Sequence, residues 1–121
     1  MLSRLPLTLV LKTNALTSGL TGVLLAALTG PLSELFGLSR TFLLVAGLGL
    51  VPFAAFVLFV AKEPTPARVR MVSAMDFAWV LGSIAVAVEL PLTRLGMVAV
   101  LGVAAVVEAF GTLQLLRLPK G

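Results

Sequence analysis

The chain has no cysteine, no histidine and no tyrosine in its 121 residues. Without cysteine there can be no disulfide framework, no thiolate nucleophile and no sulfur-based metal site. Without histidine there is no imidazole to ligate haem or zinc, and the usual general base at neutral pH is missing. Charge is scarce as well. Only 12% of residues are charged, where a soluble domain carries about 25%, while 60% are hydrophobic and the mean hydropathy is +1.15. Water is therefore not the intended solvent. The net charge of +4 is small and scattered, which excludes a nucleic-acid reader. The glycines form no G-x-G-x-x-G or Walker loop, and no carboxylates pair at metal-ligand spacing. The sequence carries no signal for an enzyme, a cofactor or a metal, and it nominates no catalytic residue.

What is present is apolar sequence punctuated by charge. Lys12 and Glu34 bracket 21 uncharged residues, as do Arg40 and Lys62, and that length spans roughly 30 Å of hydrocarbon at about 1.5 Å per residue. Residues 72–90 and 95–116 make two further spans, carrying between them only Asp76, Glu89 and Glu108. The expected fold is an all-α membrane protein of one domain over residues 1–121. Its four transmembrane helices lie near 9–29, 41–61, 72–90 and 95–116 and form two helical hairpins. Gly30-Pro31 is expected to end the first span, and residues 32–38 to form a short interfacial amphipathic piece. Arg4 and Lys12 before an apolar run also fit a signal peptide, but the run is long and no small-residue cleavage site follows, so an uncleaved span is expected.

Seven of the nine basic residues, Arg4, Lys12, Lys62, Arg68, Arg70, Arg117 and Lys120, flank one side of these spans. Only Arg40 and Arg94 flank the other. The positive-inside rule then places both termini and the middle loop in the cytoplasm. With that orientation the polar side chains of the spans fall in the inner half of the bundle. Asn14 and Ser18 share a face of span one, Asp76, Trp79 and Ser83 mark span three, and Glu108 and Gln114 mark span four. These seven form the candidate polar cluster, with Lys12, Arg70 and Arg117 as possible ion-pair partners. A carboxylate at the centre of a span costs about 2.5–3.5 kcal/mol, so Asp76 and Glu108 draw attention. Each also has a plainer reading: Asp76 as an acid near a helix start, Asn14 as glue between helices, Trp79 as a packed indole. Glu34 and Glu89 read as rim acids beside Arg40 and Arg94. Span two carries no polar stripe and is expected to face lipid or another subunit, although its Ala46-Gly47-Leu48-Gly49 run would let a helix approach closely.

Asn14 with Ser18-Gly19, the block from Asp76 to Ser83, Leu92-Thr93 with Gly96, and the ending from Gln114 to Leu118 resemble a group of small four-span bacterial inner-membrane proteins. That resemblance covers nearly the whole chain and implies the topology and an inner-membrane location, with no activity attached. In size alone the chain is similar to the small multidrug resistance exporters. Those proteins place an essential glutamate in the first span, where this chain has Asn14. Two functions are therefore carried forward. One is a non-catalytic membrane subunit or scaffold in the lipid bilayer, packed against other subunits or copies of itself. The other is a small transporter using the inner-half cluster for a cation or a proton-coupled solute.

Overall fold

The computed structural model describes residues 6–119, so Arg4 and Lys120 lie outside the described residues. These residues form five helices: α1 (Leu7–Ala27), α2 (Thr29–Phe36), α3 (Arg40–Lys62), α4 (Pro66–Glu89) and α5 (Arg94–Leu116). All but α2 are long and apolar enough to cross a membrane. Hydroxyl caps set three of the starts. Ser39 accepts the amide N–H of Phe42 at 3.0 Å, Thr65 that of Arg68 at 3.2 Å, and Thr93 that of Gly96 at 2.9 Å. Each supplies an acceptor for one of the amides that a helix N-terminus leaves unpaired.

Two boundaries differ from the sequence expectation, and capping explains the larger one. α4 begins at Pro66 rather than near residue 72, because Thr65 and Pro66 are a cap and a first-turn proline. Arg68 and Arg70 belong to this helix and not to a loop. Arg68 stacks on the Phe59 ring at 4.8 Å and pairs with Glu63 at 3.5 Å. At the other end, Gly30-Pro31 does not terminate α1. The chain bends at Leu28 and resumes as α2, with Pro31 in its first turn, where a missing N–H removes no helix bond. α3 runs through Pro52 without interruption.

The helices pack as two pairs, α1 on α3 and α4 on α5, with far less contact between the pairs. α3, expected to face lipid or another subunit and to offer a thin surface around Gly47, presents that surface to α1. It is α1's main partner, and their backbones meet at two glycines. A Cβ on Gly22 would lie 2.7 Å from the carbonyl oxygen of Gly47, and one on Gly47 would lie 2.5 Å from that of Gly22. A small-residue surface drives helix association in lipid by close packing, which needs no polar group. Leu11 and Ala15 from α1, Val57, Val60 and Ala61 from α3, and Val69 and Val72 from α4 form the apolar core near the α3–α4 loop. At the opposite end α2 lies against α5: Thr93 donates its hydroxyl to the carbonyl of Leu35, and Gly96 fits against the backbone of Phe36. Gly37 turns the chain out of α2 at φ 74°, where a β-carbon would be strained.

Candidate functional site

Three helices bring one polar side chain each to a single point. Asn14 on α1, Asp76 on α4 and Gln114 on α5 are each at most 1% exposed. The Asn14 amide donates to the Asp76 carboxylate at 3.1 and 3.4 Å and to Gln114 Oε1 at 2.9 Å. Gln114 Nε2 donates to Asp76 Oδ2 and to the Ser73 hydroxyl, both at 3.0 Å. Ser73 in turn donates its hydroxyl to the carbonyl oxygen of Gly111 at 3.0 Å, and Ser18 donates to Asn14 Oδ1 at 3.1 Å. Every side-chain oxygen and nitrogen of Asn14, Asp76 and Gln114 is thereby used. The network links α1 to the α4–α5 pair and stays within the protein interior.

Ser73 is a member that sequence reasoning missed. Its signal was its position inside the expected span, three residues before Asp76 on the same helix face. The network also places Gln114 level with Asn14 and Asp76, although it is two residues from the end of α5. The extra turn and a half of α4 accounts for this, because Asp76 lies ten residues into its helix, about 15 Å at 1.5 Å per residue.

Glu108 is not in the cluster. The buried line on α5 runs through Ala104, Gly111 and Gln114, and Glu108 lies past its edge, about 40° around the helix from Ala104 and 120° from Gln114. It is exposed on the outer face, with Leu101, Ala105, Ala109 and Thr112 exposed above and below it. Among the described residues it has no ion-pair partner. Lys12 and Arg70 are also exposed, and the hydrogen-bond partners of Asp76 are Asn14 and Gln114 rather than Lys12, Arg70 or Arg117. Neither Glu34 with Arg40 nor Glu89 with Arg94 forms an ion pair among the described residues.

Trp79 and Ser83 lie on the same α4 face as Asp76, one and two turns further along, and border open space rather than joining the hydrogen bonds. A cavity of about 390 Å³ lies between α3 and α4, with α1, α2 and α5 completing its walls; Trp79, Ser83 and Thr21 are among its lining residues. A smaller cavity of about 190 Å³ is bordered by Trp79, Asn14 and Ser18. The indole Nε1 is buried and has no hydrogen-bond partner. Among the described residues no three acidic side chains gather to hold a metal ion. Comparison of the chain with protein-family models, with curated proteins and with solved structures finds no match.

Proposed function

We propose that the chain is a non-catalytic subunit of a larger membrane complex, docked through the outer face of α5. The observation that carries this reading is Glu108. It lies eight residues inside the end of α5, about 12 Å deep at 1.5 Å per residue, on a face otherwise made of apolar and small side chains. A carboxylate exposed to lipid at such depth is costly and needs a partner. Ala105, Ala109 and Thr112 make the surrounding surface thin enough for a neighbouring helix. In a parallel contact with a second copy, Glu108 would meet another Glu108 at equal depth, which charge repulsion opposes. A helix of a different subunit with a cation or hydrogen-bond donor at that level fits better. The transporter reading depended on Glu108 beside Asp76, and it loses that support with Glu108 exposed and outside the hydrogen-bond network.

Single cysteines at Ala109 and Val88, on the otherwise cysteine-free chain, test this with a short bifunctional reagent in intact membranes. The expected result is an adduct of one defined mass at Ala109, none at the equally lipid-facing Val88, and loss of the Ala109 adduct in Glu108→Leu. An adduct with twice the mass of the chain would replace the hetero-subunit with self-association. Labelling that is equal at both sites would mean that α5 has no docked partner.

The same reading places the protein in a bacterial inner membrane with both ends and the α3–α4 loop in the cytoplasm, supported by the basic residues around that loop. A cysteine at Thr65 is then expected to resist an impermeant maleimide in intact cells, and one at Ser39 to react. The reverse pattern would invert the orientation.

A further inference from the structure

We infer that Lys12 and Lys62 together hold the phosphate of an anionic phospholipid against the outer face of the α1–α3 pair. Helical geometry puts both lysines on that face. Asn14, two residues after Lys12, reaches Asp76 on α4 and Gln114 on α5. Two residues turn a helix by about 200°, so Lys12 leaves α1 on the side away from α4 and α5. Val60, two residues before Lys62, is wholly buried in the core that α3 shares with Val69 and Val72 of α4. By the same turn Lys62 leaves α3 on its far side. Both lysines are exposed.

They also stand level. α1 and α3 run antiparallel, with Gly19 facing Ala54 and Gly22 facing Gly47. Seven residues along from Gly19 and Ala54, about 10 Å, Lys12 comes opposite Ala61, the residue before Lys62.

Charge calls for an anion there. α1 and α3 contain no acidic residue, so nothing on this pair neutralises the two ammonium groups. Glu63, the one acid in the α3–α4 loop, pairs with Arg68. Among the described residues neither lysine has an ion-pair partner. Lys62 is the last residue of α3, and Lys12 lies five residues inside α1, about 8 Å. Its flexible stem lifts the charge to the membrane boundary. Beyond the lysines both helices turn apolar side chains outward along this face, Leu16 and Leu20 on α1, Ala55 and Leu58 on α3. Cations above an apolar face complement a phosphate above acyl chains. A zwitterionic headgroup would bring its own cation to the same place, so an anionic lipid fits better.

The test uses the full chain in phosphatidylcholine vesicles containing a small fraction of phosphatidylglycerol with a diazirine near the head of one acyl chain. Illumination is expected to place adducts on α1 and α3 below the lysines, at Leu16 and Leu58 among others. A phosphatidylcholine carrying the same diazirine should give about fivefold fewer there. Lys12→Gln and Lys62→Gln should each lower the phosphatidylglycerol adducts about fivefold, and together about twentyfold or more, with melting in detergent unchanged. Lys12→Arg combined with Lys62→Arg should retain them. Arg70→Gln, at the same end but on α4, should leave them unchanged. Equal labelling by the two lipids, adducts spread over all helix faces, or undiminished labelling in the double glutamine variant would each overturn the proposal. An equal loss with Arg70→Gln would do so by reducing the site to a diffuse basic surface. Displacement by millimolar inorganic phosphate would do so by making a soluble anion the occupant. None of these results depends on whether α5 has a partner.

Discussion

In the α1–α3 pair the backbones themselves meet, at Gly22 and Gly47, whereas α4 and α5 are joined by side chains, Ser73 to the Gly111 carbonyl and Gln114 to Asp76. The first kind of contact is short-ranged and tolerates no added atom. The second is directional, and it extends to a third helix because Asn14 reaches across from α1. Dispersion can hold a pair together in lipid, but it does not choose between apolar neighbours. The hydrogen bonds set how the two pairs face each other. Where they stop, beyond Asp76, the pairs part and leave the large cavity.

This contrast can be broken from either side, with unfolding in detergent followed through the emission of the sole tryptophan. The largest effect is expected for Gly47→Leu. Its side chain would run into the Gly22 carbonyl and the backbone nitrogen of Ala26, which no rotamer relieves. A loss of about 3 kcal/mol or failure to recover folded protein is expected, at the upper end of overpacking effects. A loss below about 1 kcal/mol would mean that the two backbones are not in contact.

Gln114→Leu comes next. It removes a donor from Asp76 and from Ser73 and the acceptor of Asn14 together, and should cost about 2 kcal/mol, in the range for a buried polar group losing its partner. If this variant melts with the wild type, the network does not hold the pairs together.

A finer measurement sharpens the picture. Asn14→Leu and Asp76→Asn, alone and combined, should be non-additive by about 0.5–1.5 kcal/mol, because the two side chains share one network. Strict additivity would separate them. Ser18→Ala is expected to have the smallest effect, about 0.5 kcal/mol, since it removes only one donor to Asn14 Oδ1. A larger loss would make Ser18 more than an accessory to the network.

The four long helices were legible in the sequence because a membrane demands about twenty apolar residues per span, and charge marked where each stopped. The meeting of Asn14 and Asp76 could be anticipated from depth along the helices, a quantity that hydropathy supplies, whereas Gln114, two residues from the end of α5, comes level with them because α4 starts earlier than hydropathy marks. Azimuth was harder. Steps of four residues from Ala104 to Glu108 keep a nominal face but drift by about 40°, which is enough to turn Glu108 outward while Gly111 and Gln114 stay inside. On α3 the interface is made of absent side chains: the Ala46-Gly47-Leu48-Gly49 run marked a surface for close approach without naming the partner, and α1 meets it at Gly47. The cavity had no sequence signal beyond a glycine at position 82, since empty space depends on how far apart two pairs settle.

The reach of the hydrogen-bond network along the chain has a consequence for biogenesis. Asn14 is 62 residues from Asp76 and 100 from Gln114. Chains emerge N-terminus first at roughly 5–20 residues per second, so α1 and α3 can pair through their glycines about 3–10 seconds before Gln114 reaches the membrane. During that interval Asn14 lies in the membrane without its partners until α4 enters with Asp76. Asn14 and Asp76 can then meet each other, and the arrival of α5 with Gln114 completes the set. A chain halted before α5 therefore keeps Ser73, and part of the bonding capacity of Asn14 and Asp76, unmet within the bilayer.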